Sequence, residues 1–375
     1  MYRKTNRNRY TATLLLLTAT LAPKIIQAQW DIEESHTTAS LRGIHNVGGG
    51  VAWASGTNGT VLRTEDGGYL WQTCNVPPGA EKLDFRGIQA FDENTAIVMS
   101  SGPGDQSRLY KTTDGCQTWK LIFTNPDKEG FWDALKMWTT TDGFLVGDPI
   151  DGSFYIREAT AFWRGFVPFS GNHYGLVKAK SPGESMFAAS NSSLALGKLK
   201  DETSKSNDMW LATGGLSGSR VIHFRRRVVG DPEAIFVTSA ELSSFPKSAS
   251  GGIFSLSIRG DGIGVTVGGD YLKPDETTGT AAYSIDSGNT WAVSQTPPHG
   301  YRSSVAYDPT QKLWITVGPN GTDISTDDGK NWRPLTPSGY DAPDADKNWN
   351  ALSLPFVVGP HGRIGKLRTI APAPK

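Results

Sequence analysis

The clearest repeated stretch of the chain is Ser284-Ile285-Asp286-Ser287-Gly288-Asn289-Thr290-Trp291. It fits the frame S/T-x-D-x-G-x-T-W at every fixed position, and segments 64–71, 112–119 and 325–332 follow the same frame with small departures. One departure is Cys116, which stands where the frame has glycine. Segment 156–163 is a candidate fifth, decayed copy with Glu158 in the aspartate position.

The chemistry of this frame is that of a turn staple. Its aspartate can accept hydrogen bonds from N–H groups inside a tight turn, its glycine can take a positive φ, and its tryptophan can pack beneath the next sheet. We therefore interpret the aspartates as structural and not as catalytic acids. The predicted staples are Asp66 with Trp71, Asp114 with Trp119, Asp286 with Trp291, and Asp327 with Trp332.

The spacing of the repeat predicts a β-propeller. Successive frame tryptophans lie 48, 44 and 41 residues apart, counting Trp163 of the decayed copy, and four-stranded blades repeat every 40 to 50 residues. Seven short apolar runs, each followed by a glycine-containing turn, read as blade hairpins. No stretch has a convincing helical period, and a pair of stacked sandwiches would not explain the repeat. We predict an all-β, seven-bladed propeller of four-stranded antiparallel blades.

The two ends of the chain predict how the ring closes. The last unit has no frame and little chain left for an outer strand, so segment 30–34 is expected to supply it and remove an open edge. Only two units occupy the interval between Trp163 and Trp291, which predicts insertions at 170–183, 198–208 and 272–279.

The first 28 residues have the outline of a secretory signal. They combine Arg3, Lys4, Arg7 and Arg9 with a short apolar run at 11–22 and a small-residue cleavage site ending at Ala28. An uncleaved anchor is the alternative. We predict a signal peptide over 1–28, a propeller over 29–375, and a secreted or periplasmic location.

Net charge excludes one class of partner. The whole chain has 37 Lys and Arg against 37 Asp and Glu, and removal of the signal leaves 32 against 37. A mildly acidic domain has no bulk basic field, so nucleic acid is not expected as a partner. A monomer is expected.

The frame is the Asp-box of the bacterial neuraminidase repeat, and the blade form of 59–71 completes a family resemblance. Over residues 30–370 the chain resembles Asp-box propellers of the photosystem II stability/assembly factor type. It resembles in particular a bacterial secreted subgroup often labelled oxidoreductase, through segments 81–86, 147–152, 268–271 and 300–303. The resemblance implies a chaperone-like role. It predicts a protein partner in the envelope or a membrane-protein assembly intermediate, and no chemistry.

A binding site is expected where the first strands of the blades begin, at one mouth of the channel. Aligned strand starts place Arg42, Arg86 and Asp133 in one column and Arg302 one position away from it. Such a mouth suits an anionic small ligand or glycan bearing a carboxylate or phosphate, because arginine's planar fork matches these anions. The alternative is that these side chains pair with each other and close the channel. Further candidates follow second strands near glycine-rich turns: Asp148, Asp270, Tyr271 and Asp323.

A sialidase-like glycoside hydrolase is the alternative function. Sialidases of this superfamily use three arginines on a carboxylate and a tyrosine nucleophile, roles that Arg42, Arg86, Arg302 and Tyr271 or Tyr301 would take. The family's Phe-Arg-Ile-Pro is here Phe85-Arg86-Gly87-Ile88, so the match ends after two residues. An exported non-catalytic scaffold for protein binding or assembly is therefore the predicted function.

The oxidoreductase label has no support in the sequence. The chain has no G-x-G-x-x-G fingerprint between a strand and a helix, no C-x-x-C and no haem-attachment motif. Its six histidines are scattered singly, so neither a metal site nor a cofactor is predicted.

Three smaller features of the sequence have two possible readings or a single pattern match. Cys74 and Cys116 are placed near the outer ends of adjacent blades, where they form either a disulfide or two reduced thiols. The run 225–227 of three arginines is either a basic patch for a protein or anionic lipid or an exposed strand end. Asn191-Ser192-Ser193 fits the glycosylation pattern.

Overall fold

The computed structural model describes residues 30–160, 165–168, 177–197, 207–226, 235–337 and 341–368. The predicted signal peptide over 1–28 lies outside the described residues. So do the end of the decayed frame, most of the 198–208 insertion and the first part of the 170–183 insertion.

Seven antiparallel sheets form a seven-bladed propeller, which confirms the predicted fold class. We number the sheets as blades 1 to 7 and give their strands from the channel outward. Blade 1 consists of Leu41–Gly48, Val51–Gly56, Val61–Thr64 and Gln72–Thr73. Blade 2 consists of Phe85–Ala90, Ala96–Ser100, Arg108–Thr112 and Lys120–Thr124. Blade 3 consists of Trp132–Met137, Gly143–Ile150, Ser153–Thr160 and Gly165–Pro168.

The remaining blades follow the same plan. Blade 4 consists of Leu194–Gly197, Asn207–Ala212, Arg220–Arg226 and Ile235–Glu241. Blade 5 consists of Gly251–Ile258, Gly264–Asp270, Ala281–Ser284 and Ala292–Val293. Blade 6 consists of Ser304–Asp308, Leu313–Gly318, Gly321–Ser325 and Arg333–Pro334. Blade 7 consists of Ala351–Ser353, Phe356–Val358, Ile364–Leu367 and, as its outermost strand, Trp30–Glu33.

The N-terminal strand closes the ring as predicted. Trp30 pairs with Leu367 and Glu33 with Ile364, and Trp30 is buried against Trp349 at 6.0 Å between ring centroids. The last blade would otherwise present an unpaired edge, so the first described strand protects the end of the ring.

The first strand of each blade contacts the first strand of the next, and blade 7 returns to blade 1. The core is correspondingly divided into seven apolar clusters, one between each pair of neighbouring blades. The period of two along a strand explains this division, because alternate side chains face opposite neighbours. In blade 1, Trp53 packs towards blade 2 while Ala52 and Ala54 pack towards blade 7.

The predicted staples form hydrogen-bonded turns. Asp286 accepts hydrogen bonds from the hydroxyl of Ser284 at 2.8 Å and from the N–H of Thr290 at 2.9 Å. Cys116 has a φ of 63° at the position where the frame has glycine. The frame tryptophans pack against the preceding blade and not the next one, as shown by Trp71, whose ring meets Phe356 of blade 7 edge-on at 5.5 Å.

A disulfide joins Cys74, just beyond the outer strand of blade 1, to Cys116 in the frame turn of blade 2. The two Cα atoms are 5.4 Å apart, and the bond closes a loop with a sequence separation of 42. The two outer blade ends are therefore covalently tied.

Blade 5 departs from the predicted plan. Two short strands, Glu184–Ser185 and Gly214–Gly215, extend it on the channel side of Gly251–Ile258. Glu184–Ser185 belongs to the chain that links blades 3 and 4, and its pairing with Gly214–Gly215 holds that chain at one end of the channel. The one helix in the described ranges is the 3-10 turn Gly104–Gln106, and no helix there is long and apolar enough to span a membrane.

Candidate binding site at the channel mouth

A cavity of about 520 Å³ lies at the end of the channel where the first strands begin. In six blades, the residue at one equivalent position near the start of the first strand lines the cavity. This residue lies two positions before a buried apolar side chain. These residues are Arg42, Arg86, Asp133, Phe254, Ser303 and Asn350. The column that the sequence predicts is thus assembled, and it extends to Phe254, Ser303 and Asn350.

β-Bulges explain why these side chains reach the cavity. The register shifts between Leu41 and Gly43 in blade 1, between Phe85 and Gly87 in blade 2, and between Trp132 and Ala134 in blade 3. The extra residue at each shift is Arg42, Arg86 or Asp133, and the same shift in blade 5 falls on Phe254. A bulged residue is left out of the ladder and its side chain is re-aimed, here towards the mouth.

Arg302 does not line the cavity, which corrects its predicted placement. It stands one position earlier in the alignment, where the other blades bury Leu41, Phe85, Trp132, Ile253 and Trp349. Its guanidinium donates to Asp323 Oδ2 at 2.7 Å and to the amide oxygen of Asn320 at 2.6 Å. An arginine in a core position needs such partners because an unpaired buried charge is costly.

Asp323 and Asp270 are also placed away from the cavity. Asp323 is buried between Arg302 and His299, whose Nδ1 lies 2.7 Å from Asp323 Oδ1. Asp270 accepts hydrogen bonds from the hydroxyl of Ser248 at 2.9 Å and from the N–H of Leu272 at 3.0 Å. The alternative of mutual pairing therefore describes Arg302 and Asp323, whereas Asp270 pairs with groups outside the predicted set.

The basic side of the mouth carries two guanidinium groups and one carboxylate. Arg86 Nε donates to Asp84 Oδ2 at 2.8 Å, and Arg42 Nε lies 3.8 Å from the same oxygen. Arg42 Nε and Asp84 Oδ1 are buried and have no hydrogen-bond partner in the described protein. Burial and the neighbouring Arg86 lower the pKa of Arg42, yet an arginine stays charged at neutral pH. This side of the mouth keeps an excess positive charge.

The acidic side belongs to blade 3. Asp133 is 1% exposed, and burial together with the Asp148 carboxylate raises its pKa well above the ordinary value. Burial raises the pKa of Asp148 to about 6, although the N–H of Met186 donates to Asp148 Oδ1 at 2.9 Å and opposes the shift. Asp133 Oδ2 has no partner among the described groups. When protonated, Asp133 has an O–H group that can donate a hydrogen bond.

An aromatic wall faces these charges. Phe187 stacks on Phe254 at 3.9 Å between ring centroids, and Tyr301 meets Phe254 edge-on at 4.8 Å. Tyr271, at 6.1 Å from Phe254, is 48% exposed at the rim. Burial raises the pKa of Tyr301 above its usual range. The cavity can thus hold an apolar or aromatic group beside an anion.

Sequence reasoning missed Phe187 and, as part of the site, Phe254. Phe254 stands in the aligned column and could have been found from it. Phe187 lies in the chain between blades 3 and 4, which has no repeat to align. That chain is held at the mouth by Arg86 Nη1, which donates to the carbonyl of Ala188 at 3.4 Å.

Other predicted features lie away from the mouth. Asn191 is 3% exposed and exchanges hydrogen bonds with the backbone of Leu135, so its glycosylation pattern is not accessible. In the run of three arginines, Arg225 Nε lies 3.3 Å from Asp208 Oδ1, while Arg227 is outside the described residues. The described ranges contain no group of three or more His, Cys, Asp or Glu that could hold a metal ion.

Several solved structures have a fold similar to that of this chain. YCF48 bound to D1 peptide matches with a TM-score of 0.59 and 18% sequence identity, covering 91% of this chain and 97% of that chain. This chain shares the propeller fold of YCF48. YCF48 from Cyanidioschyzon merolae matches with a TM-score of 0.55 and 16% identity, over 90% of this chain and 98% of that one. The predicted resemblance to photosystem II assembly-factor propellers is confirmed at the level of the fold.

A third match comes from an enzyme. The GH74 xyloglucanase from Xanthomonas campestris matches with a TM-score of 0.56 and 14% identity, over 90% of this chain and 53% of that chain. No protein-family model and no curated protein matches this sequence. At these identities the YCF48 and xyloglucanase matches share a fold, and a fold supports many functions.

Proposed function

We propose that this chain is an exported, non-catalytic propeller that binds a segment of a protein partner at its channel mouth. In this role it serves as an assembly or stability factor in the cell envelope. The observation that carries the proposal is the composition of the mouth cavity, where two guanidinium groups, unsatisfied buried polar atoms and an aromatic wall converge. The export component rests on residues 1–28 of the sequence.

The buried polar atoms that lack a protein partner could be satisfied by a bound ligand. A buried polar atom without a hydrogen bond costs about 1–3 kcal/mol, and the mouth has such atoms on Arg42, Asp84 and Asp133. A peptide segment with a carboxylate would supply acceptors to the arginine and to a protonated aspartate. The cavity volume of about 520 Å³ suits one or two side chains of such a segment.

The kind of partner is inferred from a relative in fold. YCF48 has been solved bound to a D1 peptide, which is a protein ligand on a propeller that covers nearly the same length of chain. That likeness supports a peptide ligand here. It supports no particular partner, and we propose none from photosynthesis.

The glycoside hydrolase alternative loses its main structural support. The arginine triad that it requires would combine Arg42 and Arg86 with Arg302, but Arg302 is fully buried in an ion pair with Asp323. The likeness to a xyloglucanase concerns the fold. This alternative remains as an outcome of the experiment below.

Site-specific photo-crosslinking tests the proposal. A benzoyl-phenylalanine at the exposed rim position Tyr271 would be used to capture partners in detergent-solubilised envelope, followed by mass spectrometry. We expect one protein to be cross-linked, and we expect the Arg42→Gln/Arg86→Gln variant to reduce its yield at least tenfold. Glutamine can still donate to Asp84, and an unchanged melting temperature would show that the fold is kept.

The matched control is Lys120→Ala/Lys330→Ala, which removes two exposed positive charges on outer parts of blades 2 and 6. It should cross-link as the unmodified chain does. Equal yields from the mouth variant would contradict binding at the mouth. Turnover of a sialoside or a xyloglucan oligosaccharide that the mouth variant loses would favour the hydrolase.

A further inference from the structure

We propose that Asp133 and Asp148 make the mouth a proton-linked anion site, which takes a carboxylate-bearing peptide more tightly when these two side chains are protonated. The inference rests on the proposed function because it concerns ligand selection in the same cavity. It adds a regulatory variable, external pH, that a simple scaffold would not have.

The two carboxyl groups belong to bulged residues on adjacent strands of blade 3, and both residues line the same cavity. Asp133 is the residue left out between Trp132 and Ala134 on the first strand of blade 3. Asp148 is the residue left out between Gly147 and Pro149 on the adjacent strand. Trp132 pairs with Gly147 in antiparallel strands, so Asp133 and Asp148 lie on either side of this pair on neighbouring strands, and both line the cavity. The N–H of Asp148 donates to the carbonyl of Phe131 at 3.0 Å and holds this arrangement.

The other charged and titratable groups around the pair come from four blades. The linking chain at the mouth contributes only Met186, Phe187, Ala188 and Ala189. Blade 7 contributes the neutral Trp349 and Asn350. The titratable neighbours are Arg42 of blade 1, Asp84 and Arg86 of blade 2, Tyr271 of blade 5 and Tyr301 at the start of blade 6. Burial raises the pKa of Tyr301, so this side chain stays neutral in the physiological range.

These groups give the mouth a charge that changes sign. With both aspartates ionised, two arginines face three carboxylates and the balance is −1. With both protonated, two arginines face the single carboxylate of Asp84 and the balance is +1. A carboxylate ligand is therefore repelled by the first state and attracted by the second.

The Asp148 part of this change falls in a mildly acidic range. Burial raises the pKa of Asp148 to about 6, and burial and Asp148 raise that of Asp133 well above its ordinary value. The two groups interact, so their protons come off in steps that belong to the pair. By linkage, an anion that binds the protonated state must in turn strengthen proton binding. Removing one like charge at about 7 Å, at an effective dielectric constant of about 35, changes the affinity roughly tenfold.

Titration calorimetry with defined peptides tests the inference. The probes are acetylated hexapeptides that end in phenylalanine with a free carboxylate, and the same peptides as carboxamides, at pH 7.5 and pH 5.5. We expect the free acids to bind about tenfold more tightly at pH 5.5, and the amides to show no such change. The peptide carboxylate stays ionised at both pH values.

Variants with neutral side chains test whether Asp133 and Asp148 cause the pH dependence of peptide binding. Asp133→Asn/Asp148→Asn mimics the protonated pair without a change in volume, so it should bind the acids tightly and equally at both pH values. The control is Glu93→Gln, in the turn after the first strand of blade 2 and thus at the opposite end of the channel from the mouth. It should behave as the unmodified chain does. Melting temperatures at both pH values verify that each variant is folded.

Two results would overturn the inference. One is peptide binding to the unmodified chain that is equal at both pH values or weaker at pH 5.5, which would leave the proposed protein-binding function standing. The other is binding of no carboxylate peptide at either pH by any variant while photo-crosslinking at Tyr271 still captures a partner. That result would reject an anion site and retain the scaffold.

Discussion

Arg302 and Asp323 form an ion pair that is closed to solvent. Their side chains are 0% and 1% exposed, and Arg302 Nε donates to Asp323 Oδ2 at 2.7 Å. The pair connects the start of the first strand of blade 6 with its third strand. A residue that resembles a mouth arginine in sequence is thus part of the blade core.

Arg302→Met should destabilise the protein by about 3 kcal/mol, because the carboxylate of Asp323 would stay buried without its main partner. Arg302→Met/Asp323→Asn should recover part of that loss, since no buried charge is then left unpaired. Urea unfolding measures both values. A loss below about 1 kcal/mol for the single variant would indicate that the pair is open to solvent.

The staple role of the frame aspartates predicts a stability effect without a binding effect. Asp286→Ala removes the acceptor of hydrogen bonds from Ser284 and Thr290, so a loss of about 1–2 kcal/mol is expected. Asp286→Asn keeps one acceptor oxygen and should lose less. Thermal unfolding and peptide calorimetry on the same samples separate the two properties. Weakened peptide binding by Asp286→Ala would argue against a purely structural aspartate.

The disulfide between Cys74 and Cys116 predicts a measurable covalent contribution to stability. Its loop of 42 residues corresponds to about 4 kcal/mol in the chain-entropy description. Cys74→Ser/Cys116→Ser should therefore lower the melting temperature by several degrees. Alkylation without reductant, followed by mass measurement, is the direct check. Two alkylated cysteines in the exported protein would contradict the bond.

The raised pKa of Asp148 predicts that the free energy of unfolding depends on pH even when no ligand is bound. Its folded pKa of about 6 exceeds the ordinary unfolded value of about 3.9. The associated stability is therefore fully present below about pH 4 and is lost as the pH rises through 6. Asp148→Asn should raise stability at pH 7.5 by about 2 kcal/mol and flatten the profile between pH 5 and 7.5.

Urea unfolding at a series of pH values measures this profile, with Glu93→Gln as the control for a general loss of negative charge. Parallel profiles for the unmodified chain and Asp148→Asn would show that the carboxyl group of Asp148 is as well solvated in the fold as in the unfolded chain.

Much of the fold follows from contiguous residues. The frames predict the turns, their spacing predicts blades, and the missing outer strand of the last unit predicts closure by Trp30–Glu33. The sequence does not indicate the first strand of blade 4, Leu194–Gly197, because an insertion precedes it and Asn191-Ser192-Ser193 fits the glycosylation pattern. Gly214–Gly215 is too short for any periodicity to indicate a strand.

The hydrogen bonds of a frame turn involve only eight neighbouring residues. The amino-acid order alone therefore predicts the propeller, and it predicts the aligned column of Arg42, Arg86 and Asp133. The charge balance of the mouth depended on tertiary structure, because bulges decide which side chain of a strand leaves the ladder. A shift of one position puts Arg302 in the core and Phe254 in the cavity. The closed ring brings residues 42 and 350 to one wall of the cavity, and burial of Asp148 in blade 3 raises its pKa.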